Sequence, residues 1–333
     1  MALAADRRTF ATPLGRPLGF TRLGFGGVAV GSMFEPIGDA AAEATLSAAW
    51  DAGLRYFDTA PLYGRGRSER RIGRSLQARP RDAFVLSTKV GRLLAPGADV
   101  KVRFDYSRDG VRRSFDESLA RLGLDRVDIL YVHDLELPTH GSAGALEAHW
   151  SDLTTGGGWR ALAELRAAGV VDAIGLGVND AAACEQVLAE LDPDLFLLAG
   201  RYTLLEQAPL PGLLAACERR GVGVVIGGPF NSGVLVRPGG TFNYAAAPAD
   251  VLAKVERLRE VCARFDTPLP AAALQFPAAH PAVVSVIPGA QTPAEVAANV
   301  AWFDAPLPAA LWAALKDEGL VDAAAPAPAP APC

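Results

Sequence analysis

Residues 53–73 read GLRYFDTAPLYGRGRSERRIG. The run Leu54-Arg55-Tyr56-Phe57 stops on a carboxylate, Asp58. A phenol, Tyr63, follows in a turn bounded by Pro61 and Gly64. This stretch predicts a β-strand that carries an acid to its C-terminal tip and hands a phenol to the loop beyond. Two later runs repeat the arrangement: Phe84 to Thr88 ends on Lys89, and Val127 to Val132 ends on His133. Three successive strands thus end on Asp, Lys and His. In a (β/α)8 barrel the C-terminal strand tips are where catalytic side chains sit. The pattern predicts an α/β protein of that class, a TIM barrel.

Outward from this stretch the alternation is regular. Strands are expected near Tyr56, Val85, Ile129, Ile174, Phe196, Val224 and Val286. Helices are expected over 39–52, with Asp39 near its start as the cap, and over 68–76, 107–122, 159–168, 181–191, 210–219, 248–265 and 293–302. Such alternation implies a parallel sheet covered by helices. Leu23 to Gly27 supplies a further strand, and eight strands favour a closed barrel. Ahead of it, Thr9 to Phe20 reads as a hairpin about Pro13-Leu14-Gly15-Arg16. Residues 137–158 and 230–244 read as long loops leaving the catalytic face, the length at which loops are usually functional or disordered. The run Gly156-Gly157-Gly158 reads as a flexible hinge, because no phosphate-loop pattern surrounds it. One barrel domain is expected over 1–322, followed by an extended Ala/Pro-rich tail over 323–333.

Composition narrows the function. Half of the 333 residues are hydrophobic, enough for a large core. A net charge of -5 and the lack of a long basic run argue against nucleic acid and membrane partners. The first residues lack the apolar core of a secretory signal, and no apolar run is long enough to span a bilayer. Cys184, Cys217, Cys262 and Cys333 are far apart, which excludes a disulfide framework and a zinc motif. A reduced cytoplasmic protein with no metal is expected; the oligomeric state stays open.

The three strand-tip groups and the loop phenol suggest proton transfer. A phenol is a weak acid, with a reference pKa of about 10. A nearby ammonium lowers it. Lys89 can supply the ammonium, and Asp58 can hold Lys89 charged and in place. Tyr63 is then a general acid toward a carbonyl oxygen or a general base toward an alcohol. His133 can orient the same oxygen. Taken singly, each group has an ordinary structural role: a loop cap, a half-buried aromatic, a surface lysine, a core histidine. Their joint placement favours the chemical role, and a hydride source or sink must then come from a cofactor.

Phe57-Asp58-Thr59-Ala60-x-x-Tyr63-Gly64, Ser87-Thr88-Lys89 and the run from Ser114 to Gly123 leading into His133 resemble the aldo-keto reductase superfamily. The resemblance spans about 23–300 and makes Asp58, Tyr63, Lys89 and His133 the family's catalytic tetrad. The segments 131–136 and 199–205 resemble its aldose 1-dehydrogenase branch, which includes L-fucose (D-threo-aldose) dehydrogenases and pyridoxal 4-dehydrogenases. The resemblance implies an NAD or NADP cofactor. It sets Asn179 at the nicotinamide amide and Gly228, Pro229, Phe230, Asn231 and Gly233 at the pyrophosphate. Gly289, Gln291 and Thr292 fall near the adenosine phosphate and Asn299 near the adenine, with Gly27 and Asp58 completing the set.

Independently, Thr292, Pro293 and Glu295 fit a capped helix start, which can bind an anion. The chain departs from relatives at Val178, Ala199, Gly227 and Ala298, so Tyr202 or Phe230 is needed to supply a missing nicotinamide surface. The substrate set is Phe34, Tyr63, His133, Asp134 and Glu136, the two carboxylates offering acceptors to sugar hydroxyls. No Lys or Arg lies between Pro288 and Val300, which leans the cofactor toward NAD.

The expected function is oxidation of an aldose at C1 to the lactone. A pyridoxal 4-dehydrogenase or a general aldehyde/ketone reductase is the alternative. A non-catalytic regulatory subunit, like the potassium-channel β-subunits of the same fold, is the alternative of another class.

Overall fold

Every strand tip just described faces one way, because every neighbouring strand of the main sheet runs parallel. The computed structural model describes residues 3–12, 16–33, 35–95 and 102–328. Two strands, β1 (Arg7–Phe10) and β2 (Leu18–Thr21), pair antiparallel as the N-terminal hairpin. The turn about residues 13–15 lies outside the described residues. There follow β3 (Phe25–Gly26), α1 (Asp39–Asp51), β4 (Tyr56–Asp58), α2 (Arg67–Gln77) and β5 (Val85–Val90). A small antiparallel pair, β6 (Arg92–Leu94) and β7 (Val102–Phe104), precedes α3 (Arg108–Leu122) and β8 (Ile129–His133). Three helices come next: α4 (Leu137–His140), α5 (Ala143–Leu153) and α6 (Gly158–Ala167). The alternation resumes with β9 (Ala173–Val178), α7 (Ala181–Glu190), β10 (Leu195–Ala199), α8 (Ala215–Arg220) and β11 (Gly223–Gly227). The chain ends through α9 (Ala249–Ala263), α10 (Leu269–Ala278), β12 (Val283–Ile287), α11 (Pro293–Asp304) and α12 (Ala309–Asp317).

The large sheet has the order β12-β11-β10-β9-β8-β5-β4-β3. Its two ends meet through parallel bridges, Leu23 to Val286 and Gly26 to Gly289, so the sheet closes into a barrel. Side chains alternate inward and outward along each strand. Tyr56, Val85, Ile129, Tyr131, Leu195, Leu197, Val225 and Val284 fill the interior, and Leu18 and Phe20 of the hairpin close its lower end. The outward-facing residues pack against the helices in the main core.

Four expectations change. The stretch 137–158 is no loop: α4 and α5 occupy it, Ser142 caps α5, and Trp150 and Leu153 bury its inner face. Gly156 to Gly158 is a packed corner and no hinge, since a Cβ on Gly158 would stand 1.8 Å from the Tyr106 carbonyl oxygen. The tail begins inside the fold, with Ala325 buried and the Lys316 ammonium donating to the Ala323 and Ala325 carbonyls. Asp39 opens α1 without capping it; its carboxylate takes Arg71 instead. The stretch 230–244, by contrast, holds only turns and isolated bridges.

Candidate active site

The register of neighbouring strands brings the tetrad together. Asp58 lies directly opposite Ser87, and Lys89 opposite Tyr131. Because inward positions repeat every second residue, Asp58, Ser87, Lys89, Tyr131 and His133 all point into the barrel toward one end. Lys89 donates to Asp58 Oδ2 at 2.7 Å and to the Thr59 carbonyl at 2.9 Å. Asp58 and Lys89 are 2% and 1% exposed, so this is a buried ion pair. Tyr63 sits above it, with the Lys89 ammonium 4.6 Å from its ring centroid. The His133 ring meets the Tyr63 ring edge-on at 5.8 Å. The turn that holds Tyr63 needs glycine next: Gly64 has φ +58°, and a Cβ there would stand 1.6 Å from the Gly31 oxygen.

The sequence run from Ser114 to Gly123 explains itself here. Arg121 of α3 pairs with the fully buried Glu69 of α2, and Glu69 accepts from Thr88 Oγ1 at 2.8 Å. Thr88 points outward from β5 between two inward residues, so this pair pins the strand beside Lys89.

Electrostatics correct one expectation. Burial holds the Tyr63 phenol well above its usual value; Asp58, Asp134 and Tyr244 add to the rise and Arg92 opposes it. The Lys89 ammonium, paired with Asp58 at 2.7 Å, does not outweigh these effects. Burial also raises the Asp58 carboxyl, against the pull of Lys89 and Ser87. His133 is held well below its usual value by burial, then by Lys89 and Arg92, and is neutral at physiological pH. Its Nε2 faces Asp134 Oδ2 at 3.4 Å, while its buried Nδ1 has no partner.

Both expected sugar-binding carboxylates are engaged internally. Asp134, at φ +52°, pairs with Arg92. Glu136 is 2% exposed and accepts from the Asn179 N–H at 2.5 Å and from Thr139 at 3.1 Å. The oxygen that takes Thr139 also faces the Asn179 side-chain amide at 3.4 Å. Glu136 therefore braces Asn179. Phe34 lies outside the described residues.

The expected cofactor residues divide. Asn179, Gly228 and Asn231 line one cleft, with Ala199, Gly200 and Tyr244 around them. Gly228 takes φ +55° against the Gly200 backbone, and the buried Asn231 Oδ1 lacks a partner, so a polar ligand fits this cleft. Pro229 is buried beside it, and Gly233 at φ +103° turns the loop. Phe230 is half-buried edge-on to Trp302.

Tyr202 leaves the set. It is fully buried, with its ring against Phe276 and His280, and offers no surface to a nicotinamide. Gly27 is buried as well: its N–H donates to the Asp58 carbonyl, and a Cβ would meet that oxygen at 2.5 Å. At the other end of the cradle, Thr292 caps α11 by accepting from the Glu295 N–H, and Glu295 accepts from the Gln291 N–H at 2.7 Å. Gly289 lies on the approach to this cap, but Asn299 is buried, with its amide turned back toward the Gly289 carbonyl.

This geometry matches known proteins. The Aldo/keto reductase family model matches residues 22–318. The chain belongs to the aldo/keto reductase family. This reductase is 45% identical to a pyridoxal 4-dehydrogenase of Microbacterium luteolum, over 92% of its own chain and 97% of the relative. It is 40% identical to a D-threo-aldose 1-dehydrogenase of a Pseudomonas species, over 91% and 95%. An aldo-keto reductase of Bacillus halodurans in its holo form superposes with a TM-score of 0.76 at 25% identity, covering 96% of this chain and 97% of that one. The protein is thus an oxidoreductase of a family that uses nicotinamide cofactors. Among the described residues no cluster could hold a metal ion, and no helix is long and apolar enough to cross a membrane.

Sequence reasoning missed Tyr56, Ser87, Arg92, Tyr244 and Tyr106, whose phenol donates to the His133 carbonyl at 2.8 Å. Tyr56 and Ser87 carried a signal, since each stands two residues before a tetrad member and so on the same strand face.

Proposed function

We propose that this aldo/keto reductase oxidises the hemiacetal carbon of a ring-form aldose, of the L-fucose or D-threo-aldose type, to the lactone. Tyr63 moves the proton. The observation that carries this reading is the Tyr63 phenol set over the Asp58–Lys89 pair and edge-on to His133. A phenol held protonated is the acid for carbonyl reduction. In the oxidising direction it must take the hydroxyl proton, which burial and the two neighbouring carboxylates oppose. When bound, an oxidised nicotinamide would supply the hydride acceptor and a positive charge. Neutral His133 offers an N–H to the reacting oxygen. Asn179, Gly228 and Asn231 would hold the nicotinamide and pyrophosphate end, and Gln291 and Thr292 the adenosine end. NAD is the preferred cofactor, because the Glu295 carboxylate sits against Gln291 and would repel a 2′-phosphate.

Pyridoxal is a second reading. Its aldehyde is flanked by a hydroxymethyl group and also closes to a cyclic hemiacetal. The internal engagement of Asp134 and Glu136 favours it, because it asks for fewer hydroxyl acceptors than a sugar. The test is a panel of L-fucose, D-arabinose, L-galactose and pyridoxal with both cofactors, followed by nicotinamide absorbance and mass analysis of the product. Lactone formation from a sugar supports the first reading, and turnover of pyridoxal alone supports the second. Tight cofactor binding with no turnover would overturn both and favour a regulatory subunit.

A further inference from the structure

Ser87 does not touch the mouth of the site, yet it contacts the group on which the site rests. It is fully buried and lies opposite Asp58 in the parallel register. Its Oγ is 2.7 Å from Asp58 Oδ1 and 3.0 Å from the Tyr56 phenol. An ionised carboxylate only accepts, so the single Ser87 O–H is donated to Asp58. Ser87 therefore accepts from Tyr56, whose phenol must be the donor. Asp58 is left with one oxygen on Ser87 and the other on Lys89. In a buried pair, attraction repays the lost hydration only where further hydrogen bonds satisfy the remaining lone pairs.

We propose that Ser87 is a positioning residue: its hydroxyl, aimed by Tyr56, keeps Asp58 ionised and oriented so that Lys89 stays beneath Tyr63. The proposal rests on the Tyr63 reading above. The titratable and charged groups around the Asp58–Tyr63 site are Tyr56 on β4, Lys89 on β5, Arg92 on β6, Tyr131 and His133 on β8, Asp134 just beyond β8, and Tyr244 on the 230–244 loop. Of these, Lys89 favours the ionised form of Asp58 by direct contact, and the Ser87 hydrogen bond acts the same way. Loss of Ser87 therefore lets Asp58 take a proton at higher pH.

The test is the pH profile in the reductive direction. Tyr63 is protonated throughout the working range there, so the acid limb reports the site's carboxyls, of which Ser87 touches Asp58. In Ser87→Ala the acid limb should move up by about one pH unit, the size of one lost hydrogen bond to a charged group. kcat should fall while KM and cofactor Kd hold. Ser87→Thr keeps the hydroxyl and should restore the limb. Tyr56→Phe should move it the same way by less, and it carries the test if Ser87→Ala does not fold. The Asp58 carboxyl carbon resonance, assigned by its loss in Asp58→Asn, should shift its titration in parallel without any need for turnover. A folded Ser87→Ala protein with parental limb and carboxyl titration overturns the proposal; so does a kcat loss equal at every pH, which marks a merely structural role. Tyr63→Phe in parallel keeps the two readings apart. If it retains turnover, the Tyr63 reading fails; if it is inactive while Ser87→Ala is parental, only the Ser87 proposal fails.

Discussion

Replacing Lys89 by Met removes one half of the buried pair and leaves the Asp58 carboxylate 2% exposed with Ser87 as its one remaining side-chain donor. Breaking a buried ion pair by deleting one partner costs about 3–5 kcal/mol. The carboxyl can relieve part of this by taking a proton, so the cost depends on pH. Burial already holds the Asp58 pKa above its ordinary value, and the loss of Lys89 raises it further. A carboxyl whose folded pKa exceeds its unfolded value is accommodated while protonated and becomes a liability as pH rises through the folded pKa. The stability deficit of Lys89→Met should therefore be smallest at mildly acid pH, where the carboxyl is protonated, and grow toward the full figure as pH rises into the mildly alkaline range. Urea unfolding of parent and variant across that range measures it. The double variant Lys89→Met/Asp58→Asn removes the stranded charge and should recover most of the deficit at high pH, while turnover stays low in both. An equal deficit at both ends of the range, or a double variant less stable than the single one, would refute the reasoning.

Other outcomes follow from the same geometry. Glu136→Ala should destabilise by about 1–3 kcal/mol, because it strands the half-buried Asn179 N–H. It should also weaken cofactor binding more than substrate KM; a change in sugar KM at parental stability would return Glu136 to the substrate pocket. Gln291→Arg should move the ratio of specificity constants toward NADP, since a guanidinium suits a phosphate; no shift would place the adenosine end elsewhere. Gly158→Ala should lower the unfolding midpoint sharply, since its Cβ would overlap the Tyr106 carbonyl; an unchanged midpoint would mean that corner can yield.

The barrel was legible because its strands end on distinctive residues and the helices between them keep a steady spacing. Asp58, Lys89 and His133 announced themselves at the tips of apolar runs. What stayed hidden depended on pairing between distant segments. Residues 137–158 look like a loop because glycine, threonine and histidine dilute the apolar pattern, yet Trp150 and Leu153 suffice to seat a helix once a core lies beneath. The roles of Asp134 and Glu136 could not be read from the chain, because their partners Arg92 and Asn179 lie about forty residues away. Tyr202 resembles an exposed platform in sequence, but only packing shows that it faces Phe276 and His280. The expected lowering of the Tyr63 phenol failed for a related reason: its burial, which only packing reveals, is the largest effect on it.

The most direct measurement of the central claim is nicotinamide turnover by parent and Tyr63→Phe on the best substrate of the panel, with cofactor affinity measured in both. The structure predicts a fall of about 10²-fold or more in kcat at nearly unchanged cofactor Kd. A Tyr63→Phe protein that turns over at the parental rate would contradict it.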